Sequence, residues 1–288
     1  MIDLHIHTTA SDGQHTPEEI VKMSSQRGLA AIAIADHNTV ESVAAAESAA
    51  HAAGIEFAPS VEFDTVYNGR DLHVLGYYIR YKSVECEKYI GEIYEAKLEQ
   101  TKLRVKRLCE LGFALDFDEL MKLSEWRLPT GKQYIAAMKL YDKNFNNPDF
   151  MAFIDGPRSN SPYLNFYLDW LRAGRPAFVP LDVQPTFETI AKIKDLGGVP
   201  VLAHPSDTPV EDVNELSDNG LVGIEVYSSY HDEEMTEKFK KLAGERGLLI
   251  TAGSDFHGAD VKPDVELAGI PVTDYSIFEN LKKAAGVD

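Results

Sequence analysis

Hydrophobic and polar positions fall into three patterns along this chain, and each predicts a different element. Ile2 to His7 alternates apolar with polar residues, as a strand with one special face does. Leu29 to Ala35 is an unbroken apolar run rich in Ile and Ala, the pattern of a parallel strand buried on both faces. Between them, Thr16-Pro17-Glu18-Glu19 supplies an N-cap residue, Pro at the first helical position and a Glu three residues after the cap. A helix ending near Gly28 is therefore predicted. Another is predicted over Val40 to Ala53, closed by Gly54. Glu56 to Phe63 and Asp71 to Arg80 read as strands joined across Asn68-Gly69, a hairpin signal.

From about Tyr81 the texture changes, because helical patterns follow one another without intervening apolar strands. Ser83 to Leu111 is stopped by Gly112, and further helices are predicted over Leu128 to Asp142 and Pro162 to Leu171, the last closed by Gly174. Residues 81–174 thus read as an inserted helical subdomain. Alternation then resumes with helix Thr186 to Leu196, strands Val199 to Ala203 and Gly223 to Val226, and helix Glu233 to Arg246. Strands Leu248 to Ala252 and Val265 to Val272 and a final helix from Ile277 complete it. Alternating units on both sides of an insertion predict a parallel α/β domain made of residues 1–80 and 175–288. A barrel and an open doubly wound sheet both fit.

The chain has 288 residues, 44% of them hydrophobic, enough for a substantial core, which excludes intrinsic disorder. Its 46 acidic residues against 28 Lys and Arg give a net charge of −18. Such a chain repels nucleic acid and anionic lipid unless something supplies positive charge locally, and no extended basic track for a duplex is present. The longest apolar run is Leu29 to Ala35, and Met1 is followed at once by the polar stretch Asp3-Leu4-His5. Neither a membrane segment nor a signal peptide is expected. Cys86 and Cys109 offer no disulfide framework, so a cytoplasmic location is expected.

The histidines matter through their positions relative to the strands. His5 and His7 are two apart on the first strand, so both project from one face, as two ligands of one metal would. Asp12 sits in the loop that follows, and His37 comes directly after the second strand. Glu62 ends the third, His73 lies in its partner, His204 ends the strand Val199 to Ala203, and Asp255 and His257 follow Gly253-Ser254. The carboxyl ends of strands in parallel α/β folds gather on one side, so these residues are expected to converge. One His at a strand end is more often a satisfied structural group than a ligand. Polar strand ends of the ordinary kind would also be rich in Ser, Thr and Asn, and these do not dominate here.

The constellation resembles the polymerase and histidinol phosphatase (PHP) family of metal-dependent phosphoesterases. The matching segments are Asp3-Leu4-His5-Ile6-His7, Ser11-Asp12-Gly13, Thr16-Pro17-Glu18-Glu19, Ala35-Asp36-His37-Asn38, Leu202-Ala203-His204-Pro205 and Gly253-Ser254-Asp255-Phe256-His257. The resemblance implies a distorted seven-stranded (β/α)7 barrel holding up to three metals. It sets His5, His7, Glu62 and Asp255 on the first ion and Asp12, His37 and His257 on the second, with Glu62 bridging to a third held by His73 and His204. The insertion resembles the helical cap of the branch acting on nucleotides and short RNA ends.

Mixed imidazole and carboxylate ligands suit Mn, Fe or Zn better than Mg or Ca. Three divalent cations would outweigh the carboxylates and give this acidic chain its anion site. The expected reaction is hydrolysis of a phosphomonoester by a hydroxide bridging two metals, with a nucleoside 3′,5′-bisphosphate or the 5′ end of a short RNA as substrate. Asp255 and His257 are the catalytic candidates at the metal centre, and His231 is a candidate acid for the leaving oxygen. Arg127, Lys132, Arg158 and Arg175 are the candidate phosphate donors; Lys132 lies at a helix start and Arg175 just past a helix stop. Histidinol phosphate is the alternative substrate. An amidohydrolase cleaving C–N bonds and a non-catalytic metal-bound nucleotide sensor are the competing readings.

Overall fold

Among the described residues, seven strands run in chain order around one sheet. They are β1 (Ile2–Ile6), β2 (Ala31–Ile34), β3 (Glu56–Tyr67), β4 (Arg70–Tyr77), β5 (Val199–Leu202), β6 (Gly223–Ser228) and β7 (Leu249–Gly253). The computed structural model describes residues 1–180, 184–270 and 272–287. β1, β2 and β3 pair in parallel, as do β5, β6 and β7. β4 is antiparallel to both of its neighbours, so the sheet is mixed. Just past β7 the sheet turns back onto β1: Asp255 N–H donates to His5 O at 2.8 Å and His7 N–H to Phe256 O at 2.9 Å. The result is a nearly closed seven-stranded α/β barrel.

The apolar run of β2 shows why the strands sit where they do. Ala31, Ala33 and Ala35 pack with Ile2, Leu4, Tyr77 and Val201 in one cluster. Ile32 and Ile34 point the other way, into a cluster with Ile20, Val21, Ala46 and Ala50. Those residues belong to α1 (Pro17–Gln26) and α2 (Val43–Ala53). Burying each Ile side chain contributes roughly 1.5–3 kcal/mol, which fixes the register, since a one-residue slip would reverse the faces. The capping box is formed, with Thr16 N–H donating to Glu19 Oε2 at 2.9 Å.

Among the described residues between β4 and the next barrel helix lie five α-helices, α3 (Val84–Glu110), α4 (Phe117–Leu123), α5 (Gly131–Lys139), α6 (Pro148–Met151) and α7 (Pro162–Phe166), with a 3-10 turn at Asp142–Asn146 and a π turn at Tyr167–Leu171. They carry a cluster of their own, including Leu108, Phe113, Tyr134, Phe150 and Phe166. α3, about 40 Å long at 1.5 Å per residue, crosses between the two regions. Cys86 and Ile93 in its first half join a barrel cluster with Val61 and Phe63, whereas Val105 and Leu108 join the helical cluster. α8 (Thr186–Asp195), α9 (Val210–Asp218), α10 (Glu233–Arg246) and α11 (Ser276–Ala284) complete the chain. No helix among the described residues is long and apolar enough to cross a membrane.

Several expectations are corrected. Val265 to Val272 forms no strand over its described residues, and Pro271 lies outside them. Val265 and Leu267 are buried against β2 and its helices, but Ala268 takes a left-handed φ of 55° and donates its N–H to Asp3 Oδ2 at 2.9 Å. The apolar pattern there reflects burial without pairing. β3 continues to Tyr67, beyond the expected end at Phe63, because the hairpin with β4 extends it. α2 begins three residues late, since Ser42 Oγ is drawn to Asp36. α4 and α9 were unexpected, although the cap Asp116, accepting from Glu119 N–H at 3.1 Å, was legible.

Candidate metal centre

Glu62 stands where β3 has left β2 and still pairs with β4, held to the loop after β2 by Asn38 N–H donating to Glu62 O at 2.8 Å. Its carboxylate is fully buried and surrounded by imidazoles. Glu62 Oε2 lies 3.2 Å from His5 Nε2, His7 Nε2 and His37 Nδ1. Glu62 Oε1 lies 2.9 Å from His73 Nδ1 and 3.2 Å from His204 Nε2. On the opposite wall Asp255 Oδ1 is 3.1 Å from His7 Nε2 and 3.6 Å from His5 Nε2. Asp12 Oδ1 is 3.1 Å from His257 Nε2.

Local backbone geometry aims these side chains. Asn38, His204 and Asp255 each have positive φ, at 52°, 25° and 58°, in the loops that follow β2, β5 and β7. Non-glycine residues rarely take this conformation, and strain of this kind gathers at functional sites. At Gly253 a Cβ would run into the His5 side chain and the Glu225 carboxylate, so only glycine lets β7 approach β1 this closely. Asp36, before His37, is consumed by the loops: it accepts from Thr8 N–H and Thr8 Oγ1 at 2.7 Å, Ser11 Oγ at 2.6 Å and Ser42 Oγ. Glu225 at 3.1 Å from His5 Nδ1 orients that ring from behind.

The donor set behaves as a metal-binding set should. His7 Nδ1, His37 Nδ1, Glu62 Oε2, Asp255 Oδ1 and His257 Nε2 are buried with no aligned hydrogen-bond partner, a cost of about 1–3 kcal/mol each if nothing compensates it. Cations at this spot would satisfy them together. Side-chain donor atoms within 4.8 Å of one another form three overlapping groups: His7, Asp12, His37 and His257; His5, Glu62, His204 and Asp255; and His37, Glu62 and His73. The grouping differs from the one the resemblance implies. His7 sits with Asp12 as well as beside Glu62, and His204 is shared between the Glu62–His73 edge and the His5 side.

Burial disfavours charge here, and the neighbours decide which groups keep it. Burial opposes the His37 imidazolium, but Glu62, Asp64 and Asp12 outweigh it and raise its pKa to about 10. His5 is likewise pushed well up by Glu62, Glu225 and Asp255 against burial. His257 goes the other way, down to about 4, because burial prevails. Glu62 is held well below the usual carboxylate range by His5, His37 and His73 despite its burial.

The cluster opens into a cavity of about 400 Å³ whose far wall comes from α3, α5 and α7. Of the expected phosphate donors, Lys132 lines this cavity, and Arg127 lines it while forked onto Glu41 at 3.0 and 2.7 Å. Arg158 does not line it and is paired with Asp169 at 2.7 and 2.9 Å. Arg175 lies in a separate depression with Arg70 and Arg172. His231 does not line the cavity: its Nδ1 donates to Val226 O at 2.8 Å and its ring packs on Phe239 at 5.0 Å, while its Nε2 is buried without a hydrogen-bond partner and the ring feels the charges of Glu225 and His204. Its neighbour Tyr230 takes the position at the centre instead. Tyr230 OH and Lys262 Nζ both donate to Asp255 Oδ2 at 2.5 Å. Sequence reading missed Tyr230, Lys262, Asp64 and Lys97, the last two paired at 2.6 Å beside His37. None of the four carried a motif of its own.

The barrel, the convergent ligand set and its opening to solvent define a metal-dependent hydrolase site. The chain belongs to the PHP domain family, whose model matches residues 3–146. It is 26% identical to a phosphoribosyl 1,2-cyclic phosphate 1,2-diphosphodiesterase of Eggerthella lenta, over 89% of this chain and 94% of that protein. It is 27% identical to a 5′-3′ exoribonuclease of Haemophilus influenzae, over 88% and 89%. To a 3′,5′-nucleoside bisphosphate phosphatase of Chromobacterium violaceum it is 26% identical, over 89% and 87%. Among solved structures, a putative metal-dependent phosphoesterase from Bifidobacterium adolescentis superposes with a TM-score of 0.78 at 26% identity, covering 100% of this chain and 96% of that one. A Chromobacterium violaceum protein described as an amidohydrolase with bound sulfate and no metal gives 0.80 at 25% identity, covering 98% and 96%. The chain is a metal-dependent phosphoesterase of the PHP type.

Proposed function

We propose that this enzyme removes a phosphate from a phosphomonoester carried on a nucleotide, either a nucleoside bisphosphate or the 5′ end of a short RNA. The observation that carries the reading is the meeting of nine side chains from six strands and the loops that follow them, with unpartnered buried atoms, at the floor of a cavity lined by several basic residues. His5, His7, Asp12, His37, Glu62, His73, His204, Asp255 and His257 would hold three divalent Mn, Fe or Zn ions. Such ions, when bound, supply Lewis-acid charge at a phosphoryl oxygen and lower the pKa of water to about 7.

The chain's own residues do the rest. Lys262 and Tyr230 fix Asp255 through its outer oxygen and leave Oδ1 facing the centre. Glu225 and Asp255 O hold His5 and His257 by the ring nitrogens that face away, His257 Nδ1 at 2.8 Å. Residues 81–174 act as a cap that lends the cavity its basic wall and shields the substrate from bulk water. The relatives described above act on a phosphoribosyl cyclic phosphate, on RNA and on a nucleoside bisphosphate, which supports the nucleotide preference. A net charge of −18 leaves no track for a long duplex.

The test is a panel of adenosine 3′,5′-bisphosphate, AMP, histidinol phosphate and a 5′-phosphorylated oligonucleotide, with Mn added to purified protein. The bisphosphate or the oligonucleotide should be turned over at least ten times faster than histidinol phosphate. Equal slow rates on all four, or faster amide hydrolysis, would overturn the reading.

A further inference from the structure

An imidazole that ligates a metal needs an acceptor for the nitrogen facing away from the ion, because that bond fixes the ring and its tautomer. His5 has Glu225 for this and His257 has the Asp255 carbonyl. His37 and His73 both face a side chain that belongs to none of the three donor groups, Asp64. Asp64 Oδ1 lies 2.8 Å from His37 Nδ1 and 3.7 Å from His73 Nε2. His73 turns its other nitrogen, Nδ1, to Glu62 at 2.9 Å, and His37 turns Nε2 toward Asp12 at 4.0 Å. His37 Nδ1 is also 3.2 Å from Glu62 Oε2, so an ion that claims Glu62 leaves Asp64 as its acceptor. Asp64 Oδ1 is buried with no aligned hydrogen bond, and nothing else competes for it.

The hairpin puts Asp64 there. It follows Glu62 by two residues on β3, hence on the same face, and stands directly opposite His73 on β4. Its second oxygen is clamped from two sides, by Lys97 Nζ at 2.6 Å and Asn38 Nδ2 at 2.8 Å. Asn38, with its φ of 52°, accepts in return at Oδ1 from Asp64 N–H at 3.2 Å and from Gln184 Nε2 at 2.9 Å. A strained backbone held by that many bonds is over-determined. A carboxylate pinned through one oxygen keeps the other aimed at the two rings.

Lys97 comes from a different part of the chain. Ile90, Tyr94, Lys97, Thr101 and Arg104 of α3 all line the cavity, at alternating spacings of four and three that keep them on one face. Lys97 is the member of this stripe that reaches the metal centre. Ile93, one turn before it, packs in a barrel cluster, and Val105, two turns after it, packs in the helical cluster. The Lys97 side chain is 14% exposed, so solvent screens its pair with Asp64 less than it would a surface pair.

We propose that Asp64 is a positioning residue for His37 and His73, and that Lys97 holds it in place, so that helix α3 sets how tightly two of the three ions are bound. This rests on the metal centre proposed above and adds to it two residues that touch no ion.

The experiment equilibrates chelated wild type, Asp64→Asn, Lys97→Met and Lys97→Arg with graded concentrations of free Mn and counts bound ions by elemental analysis. His37 serves two donor groups and His73 one of the same two, whereas the group of His5, Glu62, His204 and Asp255 contains neither. In Asp64→Asn and in Lys97→Met two ions should therefore bind about 10- to 100-fold more weakly. The remaining ion should change less than about twofold, and Lys97→Arg should recover most of the loss. Unchanged binding in Asp64→Asn, or equal weakening of all three ions, would overturn the positioning role. A loss in Asp64→Asn with none in Lys97→Met would overturn the link to α3. If Asp64→Asn does not fold, the contrast between Lys97→Met and Lys97→Arg decides, and no difference between them overturns the proposal. Wild type that holds no more than one ion at any concentration is a different failure, of the metal centre itself.

Discussion

Replacing Glu62 by Gln keeps the shape of the side chain and removes its charge, and the consequence in metal-stripped protein depends on pH in a way the geometry dictates. Five imidazole nitrogens lie 2.9–3.2 Å from the Glu62 oxygens. The rise of the His37 pKa from 6.5 to about 10 corresponds to roughly 5 kcal/mol of stabilisation at 1.36 kcal/mol per pH unit, shared among Glu62, Asp64 and Asp12. Removing one partner of a buried pair costs about 3–5 kcal/mol. A raised imidazole contributes fully below its unfolded pKa of 6.5 and loses that contribution as pH rises through the folded value. The depressed Glu62 contributes above its ordinary 4.5 and loses this as pH falls. The penalty of Glu62→Gln should therefore be largest near pH 5.5, about 3–5 kcal/mol in urea unfolding of the chelated protein, and fall to about 1–2 kcal/mol near pH 9. A penalty that stays flat or grows with pH would refute the assignment of Glu62 as the hub of a charged imidazole cluster. The same variant, reloaded with Mn, should lose about two of the three ions proposed above by elemental analysis, since Glu62 belongs to two of the three donor groups.

Further outcomes follow from the same geometry. His73→Ala removes a ligand from one group only, so metal content should fall by about one ion while the others stay; loss of all metal would show that the groups fill as a unit. Lys262→Met frees the outer oxygen of Asp255 and should weaken metal binding or activity by about 10- to 100-fold, with Tyr230→Phe milder; an unaffected Lys262→Met would deny it that positioning role. Because His5 and His37 are raised, metal uptake at neutral pH should release protons, seen as a calorimetric heat that scales with the ionisation enthalpy of the buffer. A buffer-independent heat would contradict the charged state of the two rings.

The sequence by itself determined the elements whose signals are local. The capping box of α1, the two-faced apolar strand β2 and the Asn68-Gly69 hairpin are written in a few consecutive residues each. The nine metal-competent side chains were legible for a related reason: strand ends collect on one side of an α/β fold, so their position in the chain implied their meeting. Tertiary structure alone decided the rest, because pairing between distant residues leaves no local trace. The apolar run at Val265 looked like a strand, yet the backbone hydrogen bond it needed goes to Asp3. Two residues at adjacent positions, Tyr230 and His231, are separated in role by the turn of the chain, which points one at Asp255 and the other at Phe239. Arg104 and Arg158 are both arginines of the helical segment. Only packing shows that Asp169 has claimed one and left the other to the cavity.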